Sequence, residues 1–306
     1  MILTSRAKLN LYLKVGSKRK DHYHTLDTLF ERIDLCDKIV LTPRIDSRIK
    51  ITSDSRQIPK DASNIAWRAA RLIQKTCRVN QGLDIKIIKR IPVGSGMGGG
   101  SSNAACVLVG LNKLWKLGLS RKRLMDLGSQ LGADVPFFIA DSPFAIGSQR
   151  GDKVSSLKAL SRLRLWHVLV VPKLHVSTAK VYQKWDDLVQ KVRLPPLDDI
   201  LSKNNHLTGL TSAVSSVKLI TLALRRKDFS LLGKALFNSL EQVSINLHPQ
   251  IGRVKKKLSS LGVKSILMSG SGPAVFGIVS SKKEALSLVR QLRGNRYWQA
   301  YVARTV

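Results

Sequence analysis

The segment that most constrains this 306-residue chain is Pro92-Val-Gly-Ser-Gly-Met-Gly-Gly-Gly-Ser-Ser-Asn103. Residues 83–88 before it alternate apolar and polar, as a strand does, while Ala104, Val107, Leu108, Leu111, Leu114 and Trp115 recur after it at helical spacing, up to Gly118. The pattern predicts strand, glycine-rich loop and helix in that order. Glycines let the backbone approach an anion closely, and the first N–H groups of a helix have no partner inside it, so the segment reads as a phosphate site. Gly94-x-Gly96-x-x-Gly99 formally fits a dinucleotide fingerprint, but no acid ends a second parallel strand about 20 residues on. A Walker A loop needs a lysine where Gly100 runs straight into Ser101. A loop rich in glycine only for turning is the bland alternative, and the density of glycine at a helix start argues against it.

Elsewhere, residues 7–15 alternate strictly, with Leu9, Leu11, Leu13 and Val15 on one face and Lys8, Asn10, Tyr12 and Lys14 on the other. Lys8 and Asn10 therefore point the same way. Strands are predicted at 25–35, 38–43 and 49–52, and a helix over 64–77 capped by Asp61 or Ser63. A helix over 121–131 is followed by Leu131-Gly-Ala-Asp-Val-Pro and onward to Asp152, whose Pro, Gly and Asp content reads as loop and short strand. In that loop Pro136 biases Val135 away from helix and presents Asp134 from a turn. The second half offers a strand at 166–171, a helix after Ser177, a break at Pro195-Pro196, and helices over 212–226 and 229–238. Residues 249–291 then read as helix, strand, Gly-Ser turn, strand and helix, with a last strand at 297–303. There is no internal repeat. The class is α+β, with two domains expected at 1–157 and 158–306.

Composition excludes several alternatives. Apolar residues make up 43% and charged residues 24%, and no apolar run of about 18 residues exists, so neither disorder nor a membrane span is expected. Arg6 and Lys8 interrupt the apolar start, against a secretory signal, and a cytoplasmic protein is expected. Three cysteines without a CxxC spacing encode neither a disulfide framework nor a zinc site. Lys and Arg number 52 against 20 Asp and Glu, a formal charge of +32, which favours an anionic partner such as a nucleotide, a phosphorylated substrate or nucleic acid. A generally basic host proteome gives the same balance.

Residues 92–105, PVGSGMGGGSSNAA, resemble the ATP-binding motif of the GHMP kinases, small-molecule kinases named for galactose, homoserine, mevalonate and phosphomevalonate. Ala7-Lys-Leu-Asn-Leu11 and Met268-Ser-Gly-Ser-Gly-Pro-Ala-Val-Phe276 are similar to the family's first and third motifs, in the same order across nearly the whole chain. Tyr23-His24-Thr-Leu26, Asn64, Leu131-Gly-Ala-Asp-Val-Pro-Phe-Phe138 and Gly147-x-x-x-Gly151-Asp152 resemble the branch that phosphorylates an alcohol carrying a cytidine diphosphate group. The resemblance implies a ribosomal-protein-S5-like N-terminal domain, a ferredoxin-like C-terminal domain and a site in the cleft between them. It implies Asp134 as general base, with Lys8 holding it ionised and reaching the substrate hydroxyl. For ATP it implies Asn64 near adenine, and Pro92, Gly94, Gly96, Gly98, Gly99, Gly100, Ser101 and Ser102 around the phosphates. For substrate it implies Asn10, His24, Thr178, Gly270, Ser271 and Gly272, with Tyr23 and Tyr182 sandwiching the cytosine. Mg²⁺ is expected with ATP and no protein metal ligand is assigned. A monomer or homodimer is expected, with no membrane and no obligatory nucleic acid. His22 stands where the family commonly has glycine, and Ser95 and Met97 replace its usual alanine and leucine.

Overall fold

The structure, a computed structural model, describes residues 1–191, 217–226 and 228–306. The predicted break at Pro195-Pro196 and the start of the 212–226 helix lie outside the described residues. Two sheets stack face to face, each with helices on its outer side. The first contains β1 (Ile2–Lys18), β2 (His24–Arg44), β3 (Ile49–Ser53), β4 (Gly82–Ile88), β5 (Phe144–Ser148) and β6 (Lys153–Ser156). Its order is β3-β4-β2-β1, with β5 on β2 and β6 on β5. Most pairings are antiparallel, but β3 and β4 run parallel.

Residues predicted as two strands, 25–35 and 38–43, form the single strand β2. Pairing with β1 passes from Ala7↔Ile33 to Arg6↔Cys36, so the surplus residues are absorbed in a bulge and the strand continues onto β4. A second bulge, between Asn10↔Phe30 and Tyr12↔Leu29, changes the phase of β1. Strict alternation would keep Leu13 and Val15 with Leu9 and Leu11. Instead Tyr12 joins Leu9 and Leu11 between the sheets, and Leu13 and Val15 turn to the outer core of the second sheet.

Helices α1 (Ile65–Cys77), α2 (Gly99–Leu114), α3 (Arg121–Leu131) and α4 (Val135–Ala140) cover the outer face of the first sheet. Ala66, Ala69 and Ala70 are fully buried on α1, and their small side chains let it close on α2. The cap of α1 is Asn64 rather than Asp61 or Ser63: its Oδ1 accepts from the N–H of Ala66 at 2.9 Å. Where loop was expected, α4 forms. Pro136 lies in its first turn, where a fixed φ suits a helix start, and all six residues of α4 are buried, so apolar packing favours the turn of helix.

The second sheet contains β7 (Trp166–Pro172), β9 (Ser265–Met268), β10 (Val275–Val279) and β11 (Trp298–Arg304) in the order β11-β7-β10-β9. All pairings are antiparallel, and in chain order this is fourth, first, third, second, the ferredoxin-like arrangement. Leu169, Val171, Phe276 and Ile278 pack inward on the first sheet, while Val168, Val170, Val275 and Val279 face outward. The outer face is covered by α8 (Glu241–Leu247), α9 (Pro249–Ser260) and α10 (Lys282–Leu292). Between β7 and β9 lie α5 (Thr178–Lys191), α6 (Val217–Arg226) and α7 (Phe229–Ala235). The helix predicted over 229–238 stops at Ala235, and Phe237–Asn238 forms β8, a short parallel strand beside Tyr12 and Leu13 of β1. The second half of the chain thus contributes a strand to the first sheet.

The β1–β2 turn places His22 at φ 64°, in the left-handed region, which explains why glycine is the unstrained residue there. His22→Gly is expected to raise stability by about 0.5 kcal/mol, the relief of strain exceeding the added unfolded-state entropy. A higher urea midpoint at unchanged slope is the readout; an equal or lower midpoint contradicts it.

Candidate active site

The cleft between the two sheets' outer elements has a volume of about 520 Å³. Its walls come from β1 and β2, the start of α1, the glycine-rich loop, the residue before α4, the start of α5 and the β9–β10 turn. The glycine loop has φ of 66° at Gly94, 77° at Gly96 and 69° at Gly98, so the backbone reverses hand repeatedly over five residues. Gly98 caps α2 with no side-chain hydrogen bond, and no acid occupies the first helical turn. The N–H groups of Gly99, Gly100 and Ser101 therefore face the cleft without an intrahelical partner, next to the positive end of the helix.

Buried contacts position this loop. The Asp37 carboxylate accepts from Lys89 Nζ at 2.5 Å, Asn103 Nδ2 at 2.9 Å and the backbone N–H groups of Arg90 at 2.8 Å and Ile91 at 2.9 Å. Asp37 is fully buried, so four donors compensate the loss of water around its charge. On the other side, the N–H of Ala274 donates to Ser95 O at 3.1 Å and Ser269 Oγ donates to Gly96 O at 3.2 Å. The Gly270-Ser271-Gly272 turn thus rests on the glycine loop, and Asn238 Nδ2 holds it by donating to Met268 O and Gly270 O.

Lys8 and Asn10 do share a face. Lys8 Nζ donates to Asn10 Oδ1 at 2.5 Å and lies 3.5 Å from Asp134 Oδ2. Asn10 is oriented by its own Nδ2, which donates to Thr28 Oγ1 at 2.8 Å, while that hydroxyl donates to Tyr12 O at 2.7 Å. This chain of bonds fixes the Asn10 oxygen toward the ammonium. The Lys8 backbone N–H donates to Met97 O at 3.0 Å, tying the same strand to the glycine loop. Asp134 precedes α4 and makes no capping bond, so its carboxylate is left facing Lys8 and the cleft.

Most sequence-predicted site residues line this one cleft: Lys8, Asn10, Asn64, Pro92, Gly94, Gly96, Gly98, Gly99, Gly100, Ser101, Asp134, Thr178, Tyr182, Gly270 and Ser271. Gly272 sits behind the wall, with its conformation at φ 84° shaping the turn. Ser102 is turned away, its hydroxyl bonded to Ser5 Oγ at 2.8 Å, because it lies on the sheet side of α2. Tyr23 is also apart. Its ring is half exposed under the Arg150 guanidinium at 5.0 Å, and the ring stacked on Tyr182, at 5.2 Å between centroids, is that of His24. It is thus His24, not Tyr23, that stacks directly on Tyr182. Burial pushes the Tyr182 hydroxyl pKa well up, with the Asp134 charge adding to it.

Residues that the sequence did not single out include Thr28, Asp37, Lys89, Asn238 and Asp186. Asp186 joins the two halves of the molecule: its Oδ1 is 2.6 Å from His24 Nε2 and its Oδ2 accepts from Lys18 Nζ at 2.8 Å. Burial opposes its charge, but the Lys18 and His24 hydrogen bonds outweigh this and hold the carboxyl below its ordinary value. Its spacing of four from Tyr182 on a helix was the available signal, since i and i+4 share a face. The other four make contacts between segments far apart in the chain and carry no local signal.

Sequence comparison places this geometry in a class. The family "GHMP kinases N terminal domain" matches residues 64–142 and "GHMP kinases C terminal" matches residues 220–297. The chain belongs to the GHMP kinases. It is 38% identical to the 4-diphosphocytidyl-2-C-methyl-D-erythritol kinase of Geobacter sp. (strain M21), over 99% of this chain and 98% of that one. Identity to the enzyme of the same name from Alkaliphilus metalliredigens (strain QYMF) is 41%, over 95% of this chain and 91% of that one. A crystal structure of 4-(cytidine 5'-diphospho)-2C-methyl-D-erythritol kinase superposes with a TM-score of 0.76 at 32% identity, covering 99% of this chain and 98% of that chain. Homoserine kinase from Cytophaga hutchinsonii shares the fold, with a TM-score of 0.72 at 20% identity over 100% of this chain and 94% of that one.

Proposed function

We propose that this kinase transfers the γ-phosphate of ATP to the 2-hydroxyl of 4-diphosphocytidyl-2-C-methyl-D-erythritol, giving the 2-phosphate and ADP in non-mevalonate isoprenoid precursor synthesis. The observation that carries the chemistry is the placement of Asp134 and Lys8, 3.5 Å apart, in the cleft onto which the bare N-terminus of α2 opens. The nucleotide phosphates lie along the N–H groups of Gly99, Gly100 and Ser101, with Asn64, Pro92 and Gly94 toward the adenine end. Lys8 donates to the acceptor hydroxyl and Asp134 takes its proton. The alkoxide oxygen bonds to the γ-phosphorus, the bond to the bridging β–γ oxygen breaks, and ADP leaves with that electron pair. Asn10 holds Lys8 in register throughout.

Substrate lies toward the C-terminal side, where Thr178 Oγ1 is 2.8 Å from Ser271 Oγ and where Gly270 reaches the wall. Tyr182 gives a flat apolar surface for cytosine, and His24, held by Asp186, reads its polar edge. Mg²⁺ carried in with ATP would supply positive charge to offset that of the phosphates. Among the described residues there is no cluster of three or more His, Cys, Asp or Glu for a metal ion, and the cleft carries Asp134 and the Ser101 hydroxyl, a set suited to an ion that keeps its phosphate and water ligands. The domains divide at 157/158, and one chain supplies every group named, so a monomer suffices. Among the described residues no helix is long and apolar enough to cross a membrane. The cytoplasm, where the nucleotide substrates are, is the proposed location.

ADP release from MgATP tests the reading, comparing the cytidylated methylerythritol with homoserine, mevalonate and no acceptor. Turnover with the cytidylated alcohol alone is expected; preferential use of homoserine or mevalonate overturns the substrate assignment. Asp186→Ala is expected to raise the KM for the cytidylated substrate about tenfold with kcat within about threefold, because it loosens His24 and touches no reacting atom. An equal rise in the KM for ATP argues against that role.

A further inference from the structure

A second cavity, of about 410 Å³, lies between β1, α2 and α4, on the side of α2 away from the cleft. Ser102 lines it, whereas Gly99, Gly100 and Ser101 of the same helical turn line the cleft. Among the described residues Arg6, Arg32, Lys113 and Arg121 surround it, against a single carboxylate, Asp141. We propose that this cavity is a binding site for a small phosphorylated molecule with a short hydrocarbon body, distinct from both substrates of the kinase.

The charge is poorly compensated by the protein itself. Arg32 is 8% exposed, and its Nη1 donates to Asp141 Oδ1 at 2.6 Å, but that aspartate side chain is 68% exposed and shares its charge with water. Arg32 Nε donates to Ser142 O at 3.3 Å, and Arg121 Nη1 to Ala140 O at 2.8 Å, both neutral acceptors. The side chains of Arg6 and Lys113 make no hydrogen bond or ion pair with the described residues. Burial lowers the pKa of Arg32 against the pull of Asp141, and the partly exposed Arg6 nearby lowers it further, so the two guanidinium groups repel each other. A phosphate monoester or diphosphate offers the several oxygens that such a group of donors lacks.

Beside the polar Thr4, Ser102 and Asn112, one part of the lining is apolar. Leu3, Val109, Leu119, Leu124 and Ile139 form walls that inorganic phosphate cannot use. A hydrocarbon body gains from that surface, which separates this ligand class from free phosphate or pyrophosphate. Neither ATP nor the cytidylated alcohol fits the description, and the site does not depend on the reaction assigned to the cleft.

Isothermal titration with isopentyl diphosphate and with inorganic pyrophosphate tests the site, using protein whose cleft is saturated with a non-hydrolysable ATP analogue and CDP. Isopentyl diphosphate is expected to bind at least about tenfold more tightly than pyrophosphate, from burial of two or three methylenes. Arg6→Gln and Lys113→Glu are each expected to weaken it about tenfold, the loss of one charged contact in a partly dry site. Lys256→Glu, on the exposed side of α9, is expected to leave it unchanged. Binding seen only when the ATP analogue and CDP are left out, equal affinity for both diphosphates, equal weakening by Lys256→Glu, or no binding at all would overturn the proposal.

Discussion

Asp134→Asn is expected to lower kcat about a thousandfold while leaving the KM for ATP within about twofold. A positioned general base contributes on the order of a hundredfold to ten-thousandfold, and asparagine keeps the shape of the side chain while removing both its charge and its capacity to take a proton. Asp134 makes no capping bond to α4 and its side chain is 32% exposed, so what the substitution removes from the fold is the ion pair with Lys8. Lys8 keeps its 2.5 Å bond to Asn10 in the variant, so the ammonium stays in place. Single-turnover kinetics with saturating ATP and the cytidylated acceptor measure the effect. Turnover within tenfold of the parent, in a variant that still binds ATP, removes Asp134 as the base.

Gly96→Ala should be the most damaging change in the glycine loop. Its φ of 77° is strained for any residue with a Cβ, and that Cβ would lie 2.3 Å from Ser269 O and 3.0 Å from Gly272 O. Both obstacles are backbone, and the turn they belong to is pinned by Asn238 and by the Ser269 hydroxyl, so neither side yields cheaply. A loss of about 2–4 kcal/mol in stability is expected, of the size that backbone clash and left-handed strain produce together, with a KM for ATP raised at least about tenfold. Gly100→Ala is the contrast. It lies inside α2, its Cβ would meet only Ile65 Cγ2 at 3.5 Å, and stability within about 0.5 kcal/mol of the parent is expected from urea unfolding. Equal destabilisation by the two substitutions would show that contact with the β9–β10 turn does not explain the need for glycine at position 96.

The two damaging substitutions separate chemistry from architecture, and they also mark how differently the two features were written in the chain. The glycine loop was legible because much of its need is local, positive φ and bare N–H groups being properties of consecutive residues, whereas the contact of Gly96 with the β9–β10 turn was not. The Lys8–Asn10 pairing was legible for the same reason, since two residues apart on a strand share a face. Asp134 was legible as a residue through its motif but not in its setting. Pro136 and the apolar run after it fit either a turn or a short helix, and burial of all six residues against the first sheet decided for helix.

Where expectation and structure part, long-range packing is the cause. The bulge at Leu11 sets one extra residue of β1 against β2 and so reverses its phase, and that sends Leu13 and Val15 to a core other than the one their alternation indicates. The 229–238 helix ends early because Phe237 and Asn238 find an open edge on β1, and Asn238 then holds the turn of the site. Tyr23 adjoins His24 in sequence, yet only His24 meets Tyr182, because successive residues at a strand start point to opposite sides and Asp186 draws the imidazole in.

The amino-acid sequence by itself determined the local devices: strand and helix periods, the anion-binding loop, the order of the three family motifs and the α+β class. Tertiary structure alone decided how those devices meet. It set Asp37 under the loop, Thr28 behind Asn10, Asp186 across the cleft and Arg6 beside Arg32, each pairing segments separated by tens to more than a hundred residues. The physical reason is that periodicity and backbone preference act over a few residues, whereas the partner of a buried charge is chosen by which segments the closing of both sheets brings together.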